Sequence, residues 1–186
     1  MSLSARDNSI RGRSKNSERI RDICIFSMLG AVMFCSKILM EILPNIHLLG
    51  MLTAVYTVAF RKKALIPLYI YVMLNGLYSG FAFWWIPYLY IWTLLWAMVM
   101  LIPRKITKKI AAVIYPVICS IHGFLFGILY APVQALLYGF NFKQTLAWIA
   151  AGFSFDIIHG ISNFALGFSI IPLSDLLIRL YNRRIK

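Results

Sequence analysis

Residues 110–138 read IAAVIYPVICSIHGFLFGILYAPVQALLY, a run without one Asp, Glu, Lys or Arg. A helix needs about 20 apolar residues to cross the hydrocarbon core of a bilayer, so this run predicts a membrane span. Basic residues stand immediately before it, Arg104, Lys105, Lys108 and Lys109, and Lys and Arg concentrate in cytoplasmic flanks. The rest of the chain repeats this alternation of apolar run and basic flank. Spans are expected at 23–43, 46–60 (short), 64–83, 87–102 and 110–138. A short interfacial helix at 145–150 and a sixth span at 155–177 complete the set. The expected fold is an all-α integral membrane protein, a compact bundle of six transmembrane helices.

The composition excludes a soluble domain. Of 186 residues, 61% are hydrophobic and 13% charged, with a mean hydropathy of +0.77, against about 45–50% apolar and about 25% charged in soluble domains. One soluble core could not hide this apolar surface, so the excess has to face lipid. The net charge of +13 does not point to nucleic acid, because the cations flank apolar runs instead of lining one polar face.

Charge also sets the topology. Arg6, Arg11, Arg13, Lys15, Arg19 and Arg21 precede the first span. Arg61, Lys62 and Lys63 follow the second, Arg104, Lys105, Lys108 and Lys109 follow the fourth, and Arg179, Arg183, Arg184 and Lys186 end the chain. With six spans all these segments share one side; five or seven would scatter them. The positive-inside rule then puts both termini in the cytoplasm. Residues 1–22 are expected as a disordered basic tail and not a cleavable signal, 23–181 as the membrane domain and 182–186 as a basic C-terminal tail.

The opposite side is aromatic, rich in Pro and Gly, and nearly uncharged, with Lys143 its only cation outside a span. Its rings suit an aromatic belt at the headgroups or a pocket for a flat small molecule; belt rings should point outward and pocket rings converge. Within the last span Asp156, His159 and Asn163 fall on one helical face. They must turn inward, either as a packing network or as ligand contacts. Lys37 and Glu41, at i and i+4, read as a neutralising pair or as ligand groups. Asn75, His122 and Gln134 are candidates for helix–helix hydrogen bonds. Cys24, Cys35 and Cys119 form no CxxC and read as small apolar residues. No phosphate loop, HExxH, nucleophile elbow or metal-ligand array occurs, so neither an enzyme nor a bound cofactor is expected. Secondary transport, which favours broken helices and a polar path across the membrane, and intramembrane lipid chemistry by Asp156 and His159 are the competing readings.

Three stretches, PNIHLLG at 44–50, WWIPYLYIW at 84–92 and DIIHGISN at 156–163, together with the six-span plan, resemble the S components of energy-coupling factor (ECF) transporters. These are bacterial plasma-membrane proteins that capture vitamins and other micronutrients. The resemblance implies a small-molecule substrate, and docking on a T component driven by two cytoplasmic ATPases. It places polar substrate contacts at Asp156, His159 and Asn163, with Asn75 and Gln134 behind them. Stacking is expected from Trp84, Trp85, Tyr88 and Tyr130, with Asn45, His47 and Trp148 as further contacts. The family's small-residue docking strip on the first span corresponds here to Ser27, Ala31 and Cys35. A near-absence of outer cations favours a neutral or weakly charged heteroaromatic.

Overall fold

The computed structural model describes residues 3–43 and 46–183, and side chains from Asn16 onward. Among these residues it is helical throughout, with no strand. Eight α-helices follow in order: α1 (Leu3–Leu39), α2 (Leu49–Phe60), α3 (Leu65–Ser79), α4 (Tyr88–Met100), α5 (Lys108–Phe124), α6 (Phe126–Tyr138), α7 (Phe142–Gly167) and α8 (Ile170–Asn182). Short 3-10 turns at Arg61–Ala64 and Phe83–Trp85 join α2 to α3 and lead into α4. Four helical segments are long and apolar enough to cross a membrane: Asn16–Leu39, Phe83–Met100, Lys108–Tyr138 and Phe142–Gly167.

Two expectations are corrected. The basic N-terminal segment is helix from Leu3, not an irregular tail; it contains no proline to stop α1 from extending outward. The run 110–138 lies within the one apolar segment Lys108–Tyr138, with a turn at Leu125 where α5 meets α6. The interfacial helix at 145–150 and the span at 155–177 are replaced by a continuous α7 that begins at Phe142. An Asn141–Gln144 capping box opens it, with Asn141 Oδ1 accepting from Gln144 N at 3.0 Å and Gln144 Oε1 from Asn141 N at 2.9 Å. The chain then turns at Phe168 and Ser169 into α8.

The shortest helix occupies the middle. Every residue of α2 from Leu49 to Thr57 is buried except Leu52. A helix apolar on all sides belongs inside a bundle, and one shielded by neighbours need not match the bilayer. At 1.5 Å per residue α2 is only about 18 Å long. Around it the core collects Met33, Tyr71, Trp92, Leu95, Tyr115 and Ile170. Large apolar side chains cover the outside, among them Ile42 at 87%, Leu136 at 83% and Leu101 at 81% exposure, as a lipid-facing surface requires.

The tightest seam is between α5 and α7. A Cβ on Gly123 would lie 2.8 Å from Gly160 Cα and 2.9 Å from Gly160 N, so the two backbones touch. Without a hydrophobic drive between helices in lipid, such close approach of small residues supplies the packing.

One end of the bundle is held by ionic contacts. Lys63 Nζ donates to Asp22 Oδ2 at 2.7 Å, and Tyr181 Oη to Asp22 Oδ1 at 2.7 Å; the Arg21 guanidinium lies 4.8 Å from the Tyr181 ring centroid. The hydrogen bond to Asp22 raises the pKa of the Lys63 ammonium above its usual value. Lys108 pairs with Asp175. The described basic segments around Arg21, Arg61, Lys63 and Arg179 therefore converge on this basic end, while Trp84, Tyr130 and Trp148 meet at the other.

Arg61 carries a backbone exception there, with φ 54° and ψ −119°. Its guanidinium donates to the carbonyls of Met100 (2.7 Å) and Ile102 (3.2 Å), closing the end of α4, and its own carbonyl accepts from Trp96 Nε1 at 3.1 Å. Arg61→Ala should lower stability by about 2 kcal/mol, the worth of hydrogen bonds from a charged group. Arg61→Gly should cost about 1 kcal/mol less, because glycine releases the strain of that conformation. Thermal unfolding in detergent checks this; equal losses would show that the backbone at residue 61 stores no strain.

Candidate functional site

The polar stripe of α7 faces α5, as its spacing requires. Asp156, His159 and Asn163 are buried, but they do different things. Asp156 meets the start of α6. Both its oxygens accept from Gly127 N, at 3.1 and 3.2 Å, and Gly127 lies in the first turn of α6, where backbone N–H groups lack intrahelical acceptors. A helix N-terminus also favours negative charge. A Cβ on residue 127 would fall 2.4 Å from Asp156 Oδ2, so only glycine admits the carboxylate. Asp156 thus closes the break between α5 and α6. Asn163 donates from Nδ2 to the Cys119 carbonyl at 3.3 Å.

His159 has no such partner. Its ring lies 4.9 Å from Phe126 and edge-on to His47 at 5.8 Å. Its Nε2 is buried with no hydrogen-bond partner among the described residues, as are His47 Nδ1 and Asn163 Oδ1. Buried polar groups are nearly always paired, so these three atoms leave hydrogen-bonding capacity open here, as Asn75 and Thr53 do elsewhere in the fold.

Rings continue outward from His159. Phe126 and Tyr130 stack at 6.2 Å, and Tyr130 stacks with Trp148 at 6.1 Å and 21°. Tyr130 Oη donates to the Trp84 carbonyl at 2.7 Å, which pins the segment before α4 to α6. Trp84 meets Tyr88 at 5.7 Å, Tyr88 meets Trp92 at 6.1 Å, and Trp92 returns to Phe126 at 6.0 Å. The short α2 makes room for this cluster. It starts beside Asn163, which a Cβ on Gly50 would approach to 3.0 Å, whereas α7 runs on past His159 for about 25 Å toward Phe142.

The structure therefore brings together His47, His159, Trp84, Tyr88, Tyr130 and Trp148. Trp85 turns away, donating from Nε1 to the Val72 carbonyl at 2.8 Å and lying edge-on to Phe81 at 5.0 Å. Asn75 is fully buried on α3 with both amide atoms unpaired, and no described contact joins it to the ring cluster. Gln134 is half-buried one turn beyond Tyr130. Asn45 lies outside the described residues. Lys37 and Glu41 form the expected ion pair. Ser27, Ala31 and Cys35 are all exposed along one side of α1.

Sequence reasoning missed Phe126, the ring that touches His159, Trp92, His122 and Tyr130. The signal was the four-residue stripe His122, Phe126, Tyr130 and Gln134, which a phenylalanine in an apolar run does not announce. Phe81, Phe83 and Tyr90 are exposed, while Trp84 packs on Tyr88 and Tyr130 on Phe126 and Trp148. Among the described residues no group of three or more His, Cys, Asp or Glu could hold a metal. No protein-family model, curated protein or solved structure matches the chain.

Proposed function

We propose that this chain is the substrate-capture membrane subunit of an ECF-type importer. In this reading six passes cross a bacterial plasma membrane, α5–α6 and α7–α8 each counting as one. The basic end and both termini face the cytoplasm, and the aromatic end faces out. The observation that carries it is the convergence at that outer end of His47, His159, Phe126, Tyr130 and Trp148, with unpaired ring nitrogens at its floor. Rings hold a flat molecule by stacking, and the imidazoles orient it by hydrogen bonds without adding charge. The substrate class is a neutral or weakly charged, vitamin-like heteroaromatic. The exposed Ser27, Ala31 and Cys35 strip is where a T component docks, handing ATP-driven release to its two ATPases.

A second reading, secondary transport, draws on the break at Leu125, where the α6 N-terminus meets Asp156; discontinuous helices of this kind mark transporter sites. One experiment separates the two. Protein purified without added ligand is denatured and its extract analysed by mass spectrometry, and the same protein is reconstituted in vesicles for uptake. Capture predicts about one small molecule retained per chain and no uptake without ATP-driven partners. An empty extract, or gradient-driven uptake by the chain alone, would transfer the assignment to secondary transport.

A further inference from the structure

At the basic end, far from the ring cluster, a cavity of about 500 Å³ opens between the end of α2, the start of α5 and α8. Small-molecule sites occupy about 300–1,000 Å³. We propose that this cavity binds one phospholipid with a singly charged anionic headgroup.

Its rim is cationic. Arg104 is exposed and has no hydrogen bond or ion pair among the described residues. Beside it Lys108 is neutralised by Asp175, which also lines the cavity. Among the described residues the Arg104 charge is left uncompensated at the mouth, and the Asp175 carboxylate disfavours a doubly charged phosphomonoester. A phosphodiester carries the single charge that balances the rim.

The floor is built for the rest of such a lipid. Phe60 and Ile178 supply apolar wall. Tyr115 also lines the cavity and is 4% exposed, yet its hydroxyl has no hydrogen-bond partner among the described residues. The hydroxyl is a donor at the cavity wall that no described residue occupies. The level is that of headgroups, because the long apolar segment Lys108–Tyr138 begins here. Basic pockets between helices on the cytoplasmic side are where anionic headgroups settle, and the apolar wall below takes the first methylenes, which a soluble phosphate or acidic peptide would leave unfilled.

The test uses the full chain, delipidated in detergent, with dioleoyl-phosphatidylglycerol, dioleoyl-phosphatidylcholine or the soluble diester glycerophosphoglycerol added. Binding is read by native mass spectrometry and by the thermal midpoint. Phosphatidylglycerol should remain at one per chain and raise the midpoint, and phosphatidylcholine should do neither. Arg104→Glu should weaken phosphatidylglycerol retention by about tenfold or more, the loss of one charge-assisted contact, with the lipid-free midpoint unchanged because Arg104 holds nothing in the fold. Ile178→Trp, which narrows the cavity, should weaken retention even if it shifts the midpoint. Equal retention of both lipids, retention unaffected by Arg104→Glu, or equal stabilisation by glycerophosphoglycerol would each overturn the proposal.

Discussion

Gly123→Val is expected to separate α5 from α7 and lower stability by about 3 kcal/mol, the upper end of the cost of overpacking. The reason is the kind of atom met. A Cβ at residue 123 runs into the Cα and N of Gly160, at 2.8 and 2.9 Å. Backbone cannot rotate aside as a flexible side chain can, so the helices must part along the whole seam, which also carries the Asn163–Cys119 contact. Gly152 is the matched control. It lies in the same α7, and a methyl added there would meet nothing within 4 Å, so Gly152→Ala should raise stability by up to about 1 kcal/mol through helix propensity. Thermal unfolding of both variants in one detergent reads the difference. If Gly123→Val melts with the wild type, the α5–α7 contact is not what holds this bundle.

His159→Phe is expected to weaken ligand capture about 30-fold while leaving the unliganded protein as stable or slightly more so. Phenylalanine keeps a flat ring against Phe126 and His47, and it removes a buried nitrogen that has no partner. Replacing an unsatisfied polar atom by an apolar one is neutral or favourable to folding. The ligand loses its orienting contact at the floor, a loss of about 2 kcal/mol for a central binding residue, or about 30-fold in retention. Trp148→Ala should weaken retention through the lost stack with Tyr130 and leave the floor intact. A purely structural His159 would give the opposite pattern, with retention following stability down. Retention measured by mass spectrometry on the two variants, against their thermal midpoints, decides which holds.

These expectations differ from what the residue types alone suggest. On sequence, Asp156 is the first candidate to touch substrate, because an acid inside a membrane is costly and usually functional. In the fold its oxygens are occupied by the Gly127 amide, whereas among the described residues His47 Nδ1, His159 Nε2 and Asn163 Oδ1 beside it are unpaired. Trp84 and Trp85 are adjacent and chemically alike, yet one joins the ring cluster and the other closes against α3. Chain neighbours in a short 3-10 turn point about a third of a turn apart, and only the packing of α3 against α4 decides which side holds the site.

The sequence by itself determined what depends on sums and periods along the chain. Total apolarity demands lipid, the runs and basic flanks divide the chain, and the 0, 3, 7 spacing of Asp156, His159 and Asn163 puts them on one inward face. These are local or additive properties, readable without knowing any neighbour. The tertiary structure decided what depends on which neighbour arrives. It put a turn in the run 110–138 at Leu125, where an acid 29 residues on receives the free amide of Gly127. It drew α7 out to Phe142 and buried the short α2 in the centre, so that His47 comes to rest against His159. Apolar helices of similar composition look alike to any residue scale, and in lipid no hydrophobic force sorts their faces. Glycine contacts, single hydrogen bonds and ring edges do the sorting, and those exist only once the helices are together.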